Sequence, residues 1–190
     1  MTTARTAEGL ADGDAPAAPQ PPTMAERELE FRKRQKERAE AEKKLADAQA
    51  DGLIPIGVAD VKREGKDLTI IATSSMVQVA LAAAKLCEEV GIDVEVVDPR
   101  TMWPLDEKTL IESAKKTSRC IVMDEGYGRY GVSAELGQVV SEGAFYYLDA
   151  PVTRLCAMHV PIPFSPSLED ATVPNEKDVV RVAQQLCKRT

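Results

Sequence analysis

Hydrophobic and polar positions follow three patterns in succession along the chain. Positions 1–22, MTTARTAEGLADGDAPAAPQPP, set one leucine among Ala, Pro, Gly and Asp, so this tail has almost nothing to bury against its ordering entropy and reads as disordered. Positions 23–52 are dense in charge. Thr23 and Glu26 have capping-box spacing, which starts a helix, and opposite charges recur four apart in Glu28/Arg32, Glu30/Arg34, Lys36/Glu40 and Glu40/Lys44. Leu29, Phe31 and Leu45 make no continuous stripe. This helix is therefore either a solvated strut or a docking element using Leu29 and Phe31, and Asp51-Gly52 ends it.

From Leu53 to Thr190 short apolar runs alternate with helical spacing. Val58–Arg63 and Leu68–Thr73 are strand-like runs around Glu64-Gly65-Lys66-Asp67, which predicts an antiparallel hairpin. Val77, Ala80, Leu81, Ala84 and Cys87 recur at helical spacing between Met76 and Val90, and Gly91 follows as a cap. Asp93–Asp98 reads as a strand, Asp106–Thr117 as a helix, Arg119–Asp124 as a strand, Val132 to about Gly143 as a helix, Val152–Cys156 as the last strand and Asn175–Lys188 as the closing helix. Right-handed crossovers between such strands place helices on both faces of one sheet, an α/β fold.

Composition narrows the function classes. With 24 Lys+Arg against 31 Asp+Glu, the net charge is -7, and aromatic content is 4%, which disfavours nucleic acid as a partner on both electrostatic and stacking grounds. Cys87, Cys120, Cys156 and Cys187 contain no C-x-x-C pair and there is one histidine, His159, so no zinc site can be written. Glu8, Asp12 and Asp14 against Arg5 argue against a mitochondrial presequence, and no apolar run approaches a membrane span. The expectation is a cytoplasmic chain with reduced thiols.

In open α/β sheets, ligands sit at the carboxyl ends of the parallel strands. The residues there are Ser74-Ser75, Pro99-Arg100-Thr101, Glu125-Gly126 and Ala157-Met158-His159. Arg100 and Glu125 are read as charges at adjacent strand ends, serving an interface rather than catalysis. Gly126-Tyr-Gly-Arg-Tyr-Gly131 has G-x-G-x-x-G spacing between a strand and a helix, as a dinucleotide fingerprint requires. It follows the fourth strand rather than the first, and no acid closes a strand about 20 residues on, so turn-forming glycines are preferred. His159 has only Cys156 near it in sequence, which does not make a catalytic pair by spacing alone.

At Asp98-Pro-Arg-Thr-Met-Trp-Pro-Leu-Asp106 the chain resembles the C-terminal domain of transketolase-like enzymes, as in the beta subunit of 2-oxo acid dehydrogenase decarboxylating components. The segments 54–65, Asp149-Ala-Pro-Val-Thr-Arg154, Val160-Pro-Ile-Pro-Phe164, Leu168-Glu-Asp170 and Pro174 continue the likeness in family order, over roughly residues 53–188. The resemblance implies a three-layer α/β/α sandwich whose mixed five-stranded sheet has its first strand antiparallel. It implies interface or structural roles for Asp98, Arg100, Thr101, Pro104, Asp106, Glu125, Tyr127, Tyr130, Gly131, Glu135, Asp149 and Arg154, with no catalytic, cofactor-binding or metal residue in this chain.

In that family thiamine diphosphate is held between two other domains. Their Gly-Asp-Gly to Asn motif for diphosphate and Mg²⁺ has no counterpart here, where Asn175 is the sole asparagine. The pyrimidine-binding domain would precede Leu53. His159 stands where an acid is common, and Ser74-Ser75 where glycine is frequent. The resemblance thus implies that the chain alone binds no cofactor, and that thiamine diphosphate and Mg²⁺ belong to an oligomeric assembly. Its partners would be companion subunits carrying the pyrimidine- and diphosphate-binding domains, and in some members an acyltransferase core. Three readings follow: a subunit of a split enzyme serving assembly and active-site support, a non-catalytic adaptor that retains the interface, or an independent small enzyme using the glycine loop or His159. Tyr127, Tyr130, Phe145, Tyr146 and Tyr147 are the expected apolar contact area, with at least one of the last three pointing outward.

Overall fold

The computed structural model describes residues 53–187, together with Lys33, which is helical. The tail and the charged helix expected over 1–52 otherwise lie outside the described residues. Contacts divide the chain into two compact units, Met1–Leu53 and Ile54–Thr190. The description below concerns the second.

Five strands form one sheet in the order β1-β3-β2-β4-β5: β1 Asp60–Arg63, β2 Leu68–Ala72, β3 Val94–Asp98, β4 Cys120–Tyr127 and β5 Thr153–Ala157. β1 runs antiparallel to β3, and all other pairings are parallel. Five α-helices accompany them: α1 Met76–Glu89, α2 Glu107–Thr117, α3 Val132–Ala144, α4 Pro166–Asp170 and α5 Glu176–Cys187. Two apolar cores lie on opposite faces of the sheet. Leu68, Ile70, Val94, Val96, Ile121 and Met123 pack under α1 and α5, while Ile71, Val97, Cys120 and Val122 pack under α2 and α3. The period-2 alternation of β2, β3 and β4 supplies both cores from the same strands, because successive side chains leave opposite faces. The result is the three-layer α/β/α sandwich that the sequence predicts.

The hairpin is not formed. β2 pairs with β3 on one edge and β4 on the other, so it has no edge left for β1. The connector Glu64–Asp67 instead crosses the start of β3. The Lys66 and Asp67 amides donate to the Asp93 carbonyl at 3.2 and 2.9 Å, and the Arg63 guanidinium donates to Asp93 Oδ1 at 3.1 Å and to the Val94 carbonyl. Gly65 is pressed so close to β3 that a Cβ there would stand 2.2 Å from the Glu95 nitrogen. β1 is still antiparallel, as the family resemblance implies, but its partner is β3.

Helix boundaries have local causes. Asp106 caps α2, accepting from the Thr109 amide at 3.2 Å, and Ser118 ends it in the left-handed region at φ 60°, donating its N–H to the Ala114 carbonyl. Phe145–Tyr147 form a 3₁₀ turn after α3, and α4 is a second short element that the apolar pattern does not predict. Among the described residues no helix is long and apolar enough to cross a membrane.

Candidate functional site at the strand ends

The chain leaves β2 toward β3 on one side and later reaches β4 on the other, so the topological switch point lies between β2 and β4. This is where an open α/β sheet offers a crevice. Asp124 occupies it, 8% exposed, accepting from Thr73 Oγ1 at 3.3 Å and from the Gly126 amide at 3.1 Å. Ser75, at the start of α1, donates its hydroxyl to the Glu125 carboxylate across the gap. The mouth of the crevice is therefore tied by its own side chains, from Thr73-Ser74-Ser75 on one wall to Asp124-Glu125 on the other.

Arg100 and Glu125 are not neighbours. β2 lies between their strands, and each has an internal partner: Arg100 Nη2 reaches Asp60 Oδ2 at 2.6 Å, and Glu125 takes Ser75. The reading of a charged pair at adjacent ends is corrected by the strand order, which chain order does not reveal.

The glycine loop is shorter than its sequence spacing suggests. β4 continues through Gly126 to Tyr127, so only Gly128–Gly131 turns. Gly131 lies against the strand end, where a Cβ would meet the Tyr127 carbonyl at 2.2 Å, and Tyr130 takes φ 56° with its side chain fully exposed. Arg154 donates to the Gly128 carbonyl, closing the loop over β5. Tyr127 donates its hydroxyl to the Val160 carbonyl at 2.8 Å, and its ring meets His159 edge-on at 5.1 Å. Cys156 bonds to Ser133 Oγ at 3.1 Å. His159 and Cys156 are thus engaged with different neighbours, and no hydrogen-bonded pair of nucleophile and base joins them.

The family-like run Asp98–Asp106 forms a knot beside β1. Thr101 Oγ1 donates to the Pro104 carbonyl at 2.7 Å and accepts the Gly57 amide at 3.1 Å, Asp106 Oδ2 accepts the Ala59 amide at 3.1 Å, and Asp98 Oδ1 accepts the Arg100 amide at 2.9 Å. Hydrogen bonding from Lys62, with Arg100 beside it, holds the Asp60 carboxyl below its ordinary pKa. Asp149 pairs with Arg119 at 2.8 Å, and Glu135 stands exposed in the first turn of α3. Sequence reasoning missed Asp60, Thr73, Asp124 and Ser133. Asp106, which the sequence reading did name, also caps α2 through its Asp-x-x-Thr spacing to Thr109.

Cys87 and Cys120 behave as buried apolar groups, while Cys156 and Cys187 are half-buried. Burial pushes Cys120 up to about 12 and Cys87 up to about 11. Among the described residues no group of three or more His, Cys, Asp or Glu is placed to hold a metal ion. A groove of about 1010 Å³ lies at the opposite end of the strands, where Asp93 and Arg119 of its lining are already paired.

A five-stranded mixed sheet in this order, with an antiparallel first strand and helices on both faces, is an α/β/α sandwich. The family model described as Transketolase, C-terminal domain, matches residues 57–179, and the chain belongs to that family. It is 44% identical over 136 residues to the mitochondrial pyruvate dehydrogenase E1 component subunit beta-1 of Oryza sativa subsp. japonica, covering 72% of this chain and 36% of that protein. It is also 44% identical over 133 residues to the acetoin:2,6-dichlorophenolindophenol oxidoreductase subunit beta of Bacillus subtilis, covering 70% and 39%. A solved split-gene transketolase, described as an inactive beta4 tetramer, superposes with a TM-score of 0.59 at 32% identity, over 72% of this chain and 44% of that one. The chain therefore spans well under half the length of these relatives.

Proposed function

We propose that this chain is the C-terminal domain subunit of a split thiamine-diphosphate-dependent enzyme of the 2-oxo acid dehydrogenase or transketolase type, serving assembly and active-site support rather than holding the cofactor. One observation carries the reading: the Transketolase, C-terminal domain, model matches residues 57–179, and the chain is 44% identical over 136 residues to a pyruvate dehydrogenase E1 component subunit beta. The strand-end contacts fit a supporting role, with Thr73 donating to Asp124 and Ser75 to Glu125. In this reading companion subunits carry the pyrimidine and diphosphate domains, thiamine diphosphate and Mg²⁺ enter with them, and the assembly works in the cytoplasm.

Calorimetry of the purified chain with thiamine diphosphate and Mg²⁺ is expected to show no saturable heat. Adding the companion chain is expected to yield both cofactor binding and decarboxylation of a 2-oxo acid or transfer from a ketose donor. A micromolar cofactor site on the chain alone would overturn the division of labour. Absence of any companion bearing the relatives' remaining segment in the source cell would overturn the subunit reading.

A further inference from the structure

None of residues 53–67 is buried, whereas β2 is buried throughout and β3 through Val97. β1, the outer strand at this edge of the sheet, has only the partly buried Ala59 and Val61 to pack against a core. Its ladder with β3 is also interrupted, since the register shifts between Val61 and Arg63. Charge supplies the remaining ties. Lys62 meets Asp60 at 2.7 Å and Asp98 at 3.8 Å, Arg100 meets Asp60 at 2.6 Å, and Arg63 meets Asp93 at 3.1 Å and Glu88 at 3.4 Å. In the connector, Glu64 meets Lys116 of α2 at 2.5 Å, and the same ammonium pairs with Glu95, a β3 carboxylate that is 1% exposed. Glu95 also accepts from the Ser113 hydroxyl and from the Gly65 amide at 3.3 Å, so connector, β3 and α2 meet on one buried carboxylate. Thr69 of β2 bonds to Ser113 Oγ behind it at 2.9 Å.

We infer that β1 and its connector form a charge-latched edge, a segment that opens from the sheet as its carboxylates are protonated while the rest of the domain stays folded. Each ion pair just described needs an ionised Asp or Glu, so one fall in pH acts on all of them together. Hydrogen bonding from Lys116 holds the Glu64 carboxyl below its ordinary pKa, as hydrogen bonding from Lys62 does for Asp60. Carboxylates depressed in this way contribute stability above their unfolded value, about pH 4, and lose it as pH falls through the folded value. The pairing of β2 with β3 and β4 rests instead on apolar side chains on both faces of the sheet. Two fixed points bound the opening. The Gly57 and Ala59 amides bond to Thr101 Oγ1 and Asp106 Oδ2, and the Lys66 and Asp67 amides bond to the Asp93 carbonyl, with Asp67 Oδ2 accepting the Asp93 amide at 2.9 Å. Asp60–Gly65 lies between them. Its release bares the outer edge of β3, whose N–H and C=O groups then have no ladder partner on that side.

Native-state hydrogen exchange of the full chain, read by mass spectrometry on peptides covering residues 60–67, β2 and β4, tests the latch. In low urea at pH 7, residues 60–67 are expected to exchange through an opening that urea hardly affects, at least about a hundredfold faster than β2 and β4, whose exchange rises steeply with urea. Lowering the pH to about 4.5 is expected to raise the exchange of 60–67 at least about fivefold after correction for the intrinsic rate, with β2 and β4 still protected. Glu95→Gln keeps the shape of the side chain and removes its charge, and is expected to bring a similar increase already at pH 7. Lys116→Gln, at a half-exposed site that tolerates substitution if Glu95→Gln does not fold, is expected to do the same. Lys177→Gln, exposed on α5, is expected to change nothing. If residues 60–67 exchange only with the urea dependence of β2 and β4, the segment does not open separately and the inference falls. It falls equally if the local opening is the same at both pH values and in both charge variants.

Discussion

Asp60 shows how one side chain sets a pH response. Lys62 and Arg100 meet its carboxylate at 2.7 and 2.6 Å, and its folded pKa lies below the ordinary value. A depressed carboxylate pKa contributes stability that is present above the unfolded value, near pH 4, and is lost as pH falls through the folded value. Asp60→Asn is expected to lower stability at pH 7 by about 1 kcal/mol and to flatten the decline below pH 4, read from urea midpoints at both pH values. A steeper acid decline in the variant would contradict the pairing. The cysteines give a second residue-scale test. Cys87 and Cys120 are fully buried with raised pKa values, and of the two half-buried thiols, Cys156 and Cys187, burial raises Cys187, so iodoacetamide is expected to modify Cys156 first in the native protein, as read by peptide mass spectrometry. The burial of Cys87 and Cys120 was readable from their helical and strand positions. The bond from Cys156 to Ser133 was not, because β5 and α3 meet only in space.

At the scale of elements, the connector between β1 and β2 carries the main departure from the sequence pattern. Glu64-Gly65-Lys66-Asp67 has the composition of a hairpin turn, but turn composition constrains only the chain's local direction. Which strand β1 joins depends on both edges of β2 and on the bonds that the start of β3 offers to the connector. Gly65→Ala is expected to cost about 3 kcal/mol or more, because its Cβ would collide with β3 backbone that cannot swing away. Gly91→Ala faces open space at φ 79° and is expected to cost only about 1 kcal/mol, so the order of the two melting temperatures checks the crossover. Asp106→Ala removes both the α2 cap and the acceptor of the Ala59 amide, with an expected loss of about 2 kcal/mol in denaturant titration. The aromatic run Phe145–Tyr147 also separates the two levels. Consecutive residues were expected to diverge, with at least one outward, and all three are exposed at 67%, 94% and 58%, because a 3₁₀ turn carries them past the end of α3.

For the whole molecule, both apolar cores belong to the unit Ile54–Thr190, so a chain lacking residues 1–52 is expected to unfold at nearly the same urea midpoint as the full chain. A loss above about 2 kcal/mol would mean that Leu29, Phe31 or Leu45 is buried against it. The sequence by itself determined the alternation of strands and helices, the apolar faces, the α/β/α class and the family, since hydrophobic period and local motif order are properties of the chain read one window at a time. Tertiary structure alone decided that β3 separates β1 from β2, that Arg100 holds Asp60 rather than facing Glu125, and that Ser75 and Asp124 lace the strand-end crevice. Each of these joins residues at least forty positions apart or depends on strand order, and the free energy that selects among such pairings comes from edges, faces and donors competing at once across the folded sheet.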